Sequence, residues 1–316
     1  MAARTGTVSQ PAAHRAGWLT QRRREAIEGY LLASPWFVGL AVFTIIPVFL
    51  SVYYSFTDYE IIRSPVFVGL KNYYRLFSTD QQFWTSLGNT AFMVFLGVPF
   101  HMLAGLSIAL LLNQRVQGLA FYRTFFFLPS QVSGVALAYL WGWMLHPQFG
   151  LTSIILKLSG VQPPNFIQDP NWVKPAFVVL GTWGVGTTMI IWLAGLQGIP
   201  DAFYEAAQVD GAGWLRQFVS ITLPLLSPTI FFVLVTGIIG TFQIFTQAYV
   251  ITNGGPNDAT LFYALLIYRH AFQYFNMGYA AALAWVLFII VMTLTLLNLK
   301  LGGRWVYYEA ERGRDE

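Results

Sequence analysis

Six stretches of the chain contain no charged residue, and each is longer than the roughly 20 residues that a helix needs to cross a bilayer. Apolar residues fill these stretches continuously. Continuous runs favour helices over the alternating strands of a membrane barrel. The stretches predict six membrane-spanning helices near Leu31–Phe56, Leu87–Leu112, Tyr122–Leu145, Pro175–Gln197, Leu226–Ile251 and Tyr279–Leu301.

The composition excludes several protein classes. Charged residues make up 10% of the chain and hydrophobic residues 56%, whereas a soluble globular protein carries roughly 25% charged residues. A disordered protein is excluded, and a cytosolic enzyme is strongly disfavoured. The chain has no cysteine, which excludes a disulfide scaffold, a thiolate metal site and a cysteine nucleophile.

The distribution of positive charge predicts the orientation in the membrane. Six spans place both termini on one side, and of the 18 Lys and Arg residues twice as many fall on that side as on the other. Positive residues concentrate in the cytoplasm, so we expect both termini there, and we interpret the arginines as a topology signal and not as a nucleic-acid site. The predicted organisation is a cytoplasmic tail (1–30), a transmembrane domain (31–301) and a second cytoplasmic tail (302–316).

The cytoplasmic segment 198–225 carries an amphipathic pattern and four of the few charged residues. Asp201 is a candidate N-cap of a short helix, and Gly211 can supply the left-handed residue that ends it. A second short helix from Trp214 to Ser220 leads to Pro224, which opens the fifth span. Two short helices parallel to the membrane form a natural docking surface for a cytoplasmic partner. The alternative is an amphipathic connector with no partner.

The spacing within this segment resembles the "EAA" loop of inner-membrane permeases in binding-protein-dependent ABC importers, most closely those for sugars of the maltose-transporter type. The resemblance rests on Glu205-Ala206-Ala207, on Gly211 after three intervening residues, and on Ile221 and Leu223-Pro224. It extends from about residue 30 to residue 300. One departure is visible, because Ser153 follows Gly150 where such permeases commonly carry Asn, which affects only the details of an external loop.

The resemblance implies an all-α, type I importer fold in a bacterial inner membrane. It also implies three partners: a second permease subunit, a cytoplasmic ABC ATPase dimer and an extracytoplasmic solute-binding protein. The short helix would dock in a cleft of the ATPase and transmit its closure to the spans. The residues that would carry this coupling are Glu205, Ala206, Ala207, Asp210, Gly211, Ile221, Leu223 and Pro224.

Polar residues within the spans are the candidates for substrate contact, because such residues are costly in lipid. Thr236, Gly240, Gln243 and Gln247 recur at helical spacing in the fifth span. They indicate either a pore-facing stripe whose glutamines bind sugar hydroxyls or polar contacts between helices. Further candidates are Gln131, Ser133 and Trp183.

Two other span patterns concern packing more than transport. Gly97, His101 and Gly105 form a small–His–small stripe that favours close helix packing around one hydrogen-bonded histidine. The glycine-rich run 181–188 of the fourth span predicts either a kink or the close approach of a neighbouring helix.

The chain carries no recognisable active site. No lysine lies in a G-x-x-x-x-G-K-[ST] pattern, there is no H-E-x-x-H, and the four histidines have no metal-ligand spacing. We therefore expect no catalytic residue, cofactor or metal in this chain, and ATP hydrolysis in a separate subunit.

Charge also bears on the transported solute. The interiors of the spans contain no Lys or Arg to meet a phosphate, so a neutral, hydroxyl-rich solute is preferred over a glycerol-phosphate-type one. An ion-coupled secondary transporter is less favoured, because the spans also lack a carboxylate at mid-membrane. A structural or channel protein would not need the 198–225 loop.

Overall fold

The computed structural model describes residues 21–114 and 117–306, and it divides into two compact units between Tyr53 and Tyr54. Residues 1–20 and 307–316, which make up most of the two predicted tails, lie outside the described residues, as does Arg115. Within the described chain the regular secondary structure is helical apart from one small antiparallel hairpin, Thr57–Asp58 paired with Val66–Phe67, and an isolated bridge between Glu60 and Asn276.

The helices that are long and apolar enough to cross a membrane lie near the predicted positions, except that the fifth begins and ends earlier than predicted. The first, second and sixth spans are single helices over Glu25–Ser55, Gln81–Leu112 and Met277–Gly303. The third, fourth and fifth spans are bent pairs of helices over Leu119–Gln131 with Gly134–Met144, Pro170–Thr182 with Gly186–Gln197, and Trp214–Leu225 with Ser227–Phe242. Counting each pair as one span gives six.

Shorter helices connect or flank the spans. They are Lys71–Ser78, Leu151–Leu158, Asp201–Val209 and Tyr263–Tyr268, the last continuing as a π-helical turn over Arg269–Gln273, with a further π-helical turn at Ala248–Thr252.

The first unit is the N-terminal helix, which tolerates a proline in its interior. Pro35 has no N–H to donate to the carbonyl of Leu31, four residues earlier. The hydroxyl of Ser34 donates to that carbonyl at 2.7 Å instead. The helix therefore continues through Pro35 with the Leu31 carbonyl satisfied, as lipid requires.

Aspartates begin two of the spans. The carboxylate of Asp80 accepts the backbone N–H groups of Gln82 and Phe83 at the start of the second span. Asp169 accepts the N–H of Asn171 at the start of the fourth span, and Pro170 occupies the first helical position. Both arrangements satisfy N–H groups that have no partner within the helix.

The bends follow from residues that interrupt the helical hydrogen-bond ladder. The third span turns by 94° at Val132 and Ser133, whose backbones are extended, just after Pro129. The fifth span turns by 64° at Leu226, between Pro224 and Pro228, each of which lacks a backbone donor.

The glycine-rich run of the fourth span both kinks the helix and allows neighbouring segments to approach closely. The helix breaks between Thr182 and Gly186 with a bend of 53°. Neighbours also approach closely, because a Cβ on Gly181 would overlap the His101 ring and one on Gly186 would lie 2.9 Å from the Cα of Phe127. Glycine is required at both positions for close packing and not for an unusual backbone angle.

The fifth span ends earlier than the sequence predicts. Its helix stops at Phe242, and the chain passes through a turn at Gln243 before resuming near Gln247. Phe245 stacks on Tyr249 with ring centroids 5.5 Å apart and packs on Tyr268 at 4.9 Å. We attribute the interruption to this aromatic packing, since no Gly or Pro lies at Gln243–Phe245.

Buried side chains form two principal clusters in the second unit. The outer cluster joins the second, fourth and sixth spans to the helix Tyr263–Tyr268 and includes Leu76, Phe83, Phe177, Tyr263 and Tyr279. The inner cluster joins the second, fourth and fifth spans on the side of the 198–225 segment and includes Ala109, Leu112, Trp192, Leu196 and Leu226.

Candidate functional site

A cavity of about 340 Å³ lies between the second, fourth and fifth spans. The second span contributes His101, the fourth Thr188 and two glycines of its broken segment, and the fifth a polar stripe of its own. This stripe of small and polar residues comprises Thr236, Gly237, Gly240 and Thr241, and Gln247 joins the lining from the helical turn that follows the fifth span. The spans thus place their polar side chains around one space.

The polar lining can still bind a ligand. The hydroxyls of Thr236 and Thr241 each donate to a carbonyl of their own helix at 2.8 Å, which leaves their lone pairs to accept. Within the described residues no hydrogen bond to the Gln247 side-chain amide is recorded, so this group retains its donors and its acceptor. A ligand with many hydroxyls matches such a lining, because a hydroxyl both donates and accepts.

His101 is the ionisable residue of the lining, which contains no Asp, Glu, Lys or Arg. Its Nε2 lies 2.8 Å from the carbonyl oxygen of Val178, so a proton on Nε2 is donated there. The ring also packs on the backbone of Gly181. The residue thus both holds the broken fourth span against the second span and faces the cavity.

The remaining predicted substrate residues lie elsewhere. Gln243 is exposed where the fifth-span helix ends, and it is not part of the lining. Gln131 and Ser133 are exposed at the bend of the third span. Trp183 packs edge-on against Trp141, with ring centroids 5.7 Å apart, beside the break of the fourth span.

The segment 198–225, called the EAA loop below, folds into two helices joined by a tight turn. The loop helix is Asp201–Val209 and the anchor helix is Trp214–Leu225. Gly211 ends the loop helix with φ +76°, its N–H bonds to the Gln208 carbonyl at 3.0 Å, and the Ala212 N–H bonds to the Ala207 carbonyl at 2.8 Å. This pair of bonds is the Schellman ending, in which a left-handed residue satisfies the last carbonyls.

The start of the loop helix differs from the prediction. Pro200 occupies the N-cap position with φ −61° and ψ 133°, and Asp201 is the first helical residue. The ring of proline fixes φ near this value and favours the extended entry to the helix. Asp201 instead places a negative charge in the first turn, where the helix dipole favours it.

The loop helix exposes most of its predicted coupling residues. Glu205, Ala206, Asp210 and Gly211 are exposed and Ala207 is half-buried. Val209, on the same helix, is 88% exposed. Glu205 and the small side chains of two alanines therefore lie on a surface that another protein can approach closely.

The opposite side of the loop ties it to the spans. Ile221 packs on the inner cluster, and Leu223 and Pro224 lead into the bend of the fifth span. The Nε2 of Gln217 donates to the carbonyl of Ala212 at 2.8 Å, which fixes the turn between the two helices. The loop is therefore held as one body with the start of the fifth span.

We expect Gly211→Val to reduce the bound ATPase and the transport rate several-fold. A left-handed backbone costs a residue with a Cβ about 1–2 kcal/mol, and no atom lies within 4 Å of the added Cβ, so the cost is conformational. Gly213→Val is the matched control, because Gly213 also has open space but has φ −69° and ψ 166°. Equal effects of the two variants on co-purified ATPase would contradict the assignment.

A polar network at the outer ends of the spans was not predicted. The ammonium of Lys174 donates to the Oδ1 of Asn89 at 2.9 Å, and the Nδ2 of Asn89 donates to the carbonyl of Asp258 at 2.7 Å. Arg269 pairs with the carboxylate of Asp258 at 3.4 Å and donates to the carbonyl of Asn253 at 2.6 Å. These contacts fasten the last external loop to the second and fourth spans.

His270 lies beside this network and is buried, with 5% of its surface exposed. Burial lowers the pKa of His270 to about 4, against the smaller raising effect of Asp80. The imidazole is therefore neutral at physiological pH. Within the described ranges, no group of three His, Asp or Glu residues could hold a metal ion.

Comparison with known proteins places the chain. Residues 82–300 match the family described as the binding-protein-dependent transport system inner membrane component. This chain belongs to that family. It is a membrane transport subunit and not an enzyme, and in its family the ATPase and the solute-binding protein are separate subunits.

Two relatives match almost the whole chain. A probable ABC transporter permease, YesP of Bacillus subtilis, is 41% identical over 293 residues, which are 92% of this chain and 94% of the relative. The trehalose/maltose transport system permease MalF of Thermococcus litoralis is 37% identical over 88% of this chain and 95% of its own.

A solved structure shares the fold. The bacterial ABC transporter involved in the import of the acidic polysaccharide alginate contains a chain that matches 90% of this one with a TM-score of 0.78 and 24% identity. The match covers 99% of that chain. The importer fold predicted from the sequence is therefore confirmed.

Proposed function

We propose that this permease carries a neutral sugar or oligosaccharide through the cavity between the second, fourth and fifth spans. The observation that carries the proposal is the lining of that cavity, which is mainly apolar, offers a few hydroxyl, imidazole and amide groups, and contains no Asp, Glu, Lys or Arg. Hydroxyl and amide groups of this kind pair with sugar hydroxyls. The trehalose/maltose permease among the relatives supports the same class of solute.

A phosphorylated solute fits the cavity less well. A phosphate carries up to two negative charges and is bound in proteins mainly by Arg, Lys or helix N-termini. The lining offers His101 as its ionisable side chain, and the Nε2 of that residue is engaged by the carbonyl of Val178. Moving a glycerol-phosphate-type solute from water into the cavity would therefore cost free energy, because no cationic side chain of the lining would pair with its phosphate.

The EAA loop supplies the coupling in this proposal. The exposed face of the loop helix docks on the ATPase, and Glu205 and Asp210 offer carboxylates to cations of that partner. The buried face passes the movement to the fifth span through the anchor helix. Alternating access then needs only two packings of the spans that differ in affinity for solute and partners.

Gln247→Leu should lower sugar uptake about fivefold, because the loss of one hydrogen bond to a sugar hydroxyl costs about 1 kcal/mol. Gln243→Leu is the matched control four residues earlier in the chain, since it removes an identical amide outside the cavity lining. Uptake is measured in proteoliposomes containing the complete complex, with the loaded binding protein outside and ATP inside.

The control also separates two routes for the solute. If Gln243→Leu impaired uptake and Gln247→Leu did not, the solute would pass along the exposed side of Gln243 and the cavity would have another role. Normal uptake by both variants would contradict a role for either glutamine.

A further inference from the structure

We infer that the hydrogen bond between Tyr204 and Thr222 is the link through which the loop helix moves the fifth span. The inference rests on the proposed coupling role of the EAA loop and names the contact that performs it. The two hydroxyl oxygens lie 3.0 Å apart, between the loop helix and the anchor helix. Both residues are positioning residues, since neither touches solute.

The burial of the pair distinguishes it from the other contacts of the loop. Thr222 is 5% exposed, and Tyr204 packs against the inner cluster. By contrast, the bonds made by Ala212 and Gln217 close the turn between the loop helix and the anchor helix. The bond thus joins a half-buried hydroxyl of the loop helix to a buried hydroxyl of the anchor helix and holds the two helices in one geometry.

The position of Thr222 lets the hydrogen bond act on the bend of the fifth span. Thr222 lies four residues before the bend at Leu226, and its carbonyl accepts the N–H of Leu226 at 2.9 Å. The helix that follows the bend carries Thr236 and Gly240, which line the cavity. A displacement of Tyr204 therefore acts at the start of the helix Ser227–Phe242, which lines the solute cavity.

The Tyr204 side chain packs on the inner cluster, and the loop helix moves relative to that cluster. Tyr204 packs there together with side chains from the second and fourth spans, among them Leu112 and Leu196. Packed side chains keep discrete arrangements and do not deform continuously. The phenol ring therefore moves with the loop helix between discrete positions, and its hydroxyl carries Thr222 along.

Tyr204→Phe tests the link because it keeps the ring and removes the hydroxyl. We expect the complex to assemble with normal basal ATPase activity and to transport about fivefold less sugar per ATP hydrolysed, the size expected for the loss of one hydrogen bond of about 1 kcal/mol. Thr222→Val should give the same loss. Thr222→Ser retains the hydroxyl and should restore the ratio to the wild-type value.

The double variant Tyr204→Phe with Thr222→Val identifies the bond itself. If the two hydroxyls act only through each other, the double variant is no worse than either single one. Tyr73→Phe is the matched control, because its hydroxyl donates to the Oγ of Ser55 at 2.8 Å, away from the EAA loop. It should leave sugar transported per ATP unchanged.

Several results would overturn the inference. An unchanged ratio in the assembled Tyr204→Phe complex would do so, as would additive losses in the double variant. Loss of assembly in Tyr204→Phe would show that the hydroxyl holds the loop together instead of transmitting movement. The proposed function fails separately, if a chain without the loop helix still binds the ATPase.

Discussion

Removing the loop helix should strip the ATPase from the purified complex. Deletion of residues 202–211 takes away the exposed face that carries Glu205, Ala206 and Asp210, together with the glycine that ends the helix. We expect loss of essentially all co-purified ATPase and of ATP-driven uptake. Subunits are quantified after affinity purification of this chain in detergent.

A control of equal length separates docking from chain connectivity. Replacing the same residues by a Gly/Ser linker keeps the distance between the fourth and fifth spans covered but offers no helix. We expect this variant to lose the ATPase too, while the second permease subunit remains. An ATPase that stayed bound to both variants would contradict the docking role of the EAA loop.

The deletion and the point variants differ in what they remove. Gly211→Val weakens the ending of the loop helix, and Tyr204→Phe breaks its tie to the anchor helix, but both leave the exposed face in place. We therefore expect the deletion to abolish ATPase binding, Gly211→Val to reduce it, and Tyr204→Phe to leave it intact while lowering transport. Measuring both the bound ATPase and the transport rate for each variant distinguishes these three outcomes.

The spans themselves were predictable because their constraint is local. Lipid excludes unpaired charge over some 20 consecutive residues, and this is visible without any knowledge of the fold. The straight second and sixth helices lie where their charge-free stretches predict them. The bends at Pro129 and around Pro224 also occur beside residues whose missing N–H is evident in the sequence.

The end of the fifth helix at Phe242 was not predictable in this way. The polar stripe prediction assumed a continuous helix, which puts Gln243 and Gln247 on one face. Because the helix stops before Gln243, the two glutamines separate, and Gln247 lines the cavity while Gln243 does not. The cause is tertiary, since Phe245 and Tyr249 pack on Tyr268 from another segment.

The outer polar network was missed for a related reason. Lys174 meets Asn89, and Asn89 meets Asp258, across 85 and 169 residues of sequence. No local pattern marks such partners. Only the packing of the last external loop on the second and fourth spans brings them together.

Gly278→Ala should destabilise the outer half of the protein strongly. Gly278 lies at the start of the sixth span, and its N–H donates to the carbonyl of Tyr59 at 3.1 Å. An added Cβ would overlap the carbonyl oxygen of Thr57 and lie 3.1 Å from its carbonyl carbon. Backbone atoms cannot rotate away as a flexible side chain can, so the hairpin must separate from the helix.

The cost follows from what the separation breaks. Next to Gly278, the hydroxyl of Tyr279 donates to Asp80, and the cation of Arg75 lies 4.5 Å from the centre of the Tyr279 ring. Overpacking of this kind costs about 3 kcal/mol. We expect a thermal transition of the detergent-solubilised protein lowered by roughly 6 °C or more.

Gly88→Ala is the matched control for that measurement. Gly88 is also helical, but no atom lies within 4 Å of its added Cβ, and alanine favours a helix over glycine. The control should therefore be neutral or slightly stabilising. Because the EAA loop is tied to the inner cluster and Gly278 packs on the outer hairpin, Gly278→Ala should keep its ATPase at temperatures below the transition. Equal thermal transition temperatures for the two variants would show that the hairpin can move away at little cost. The contact between Gly278 and Thr57 would then not stabilise the outer half.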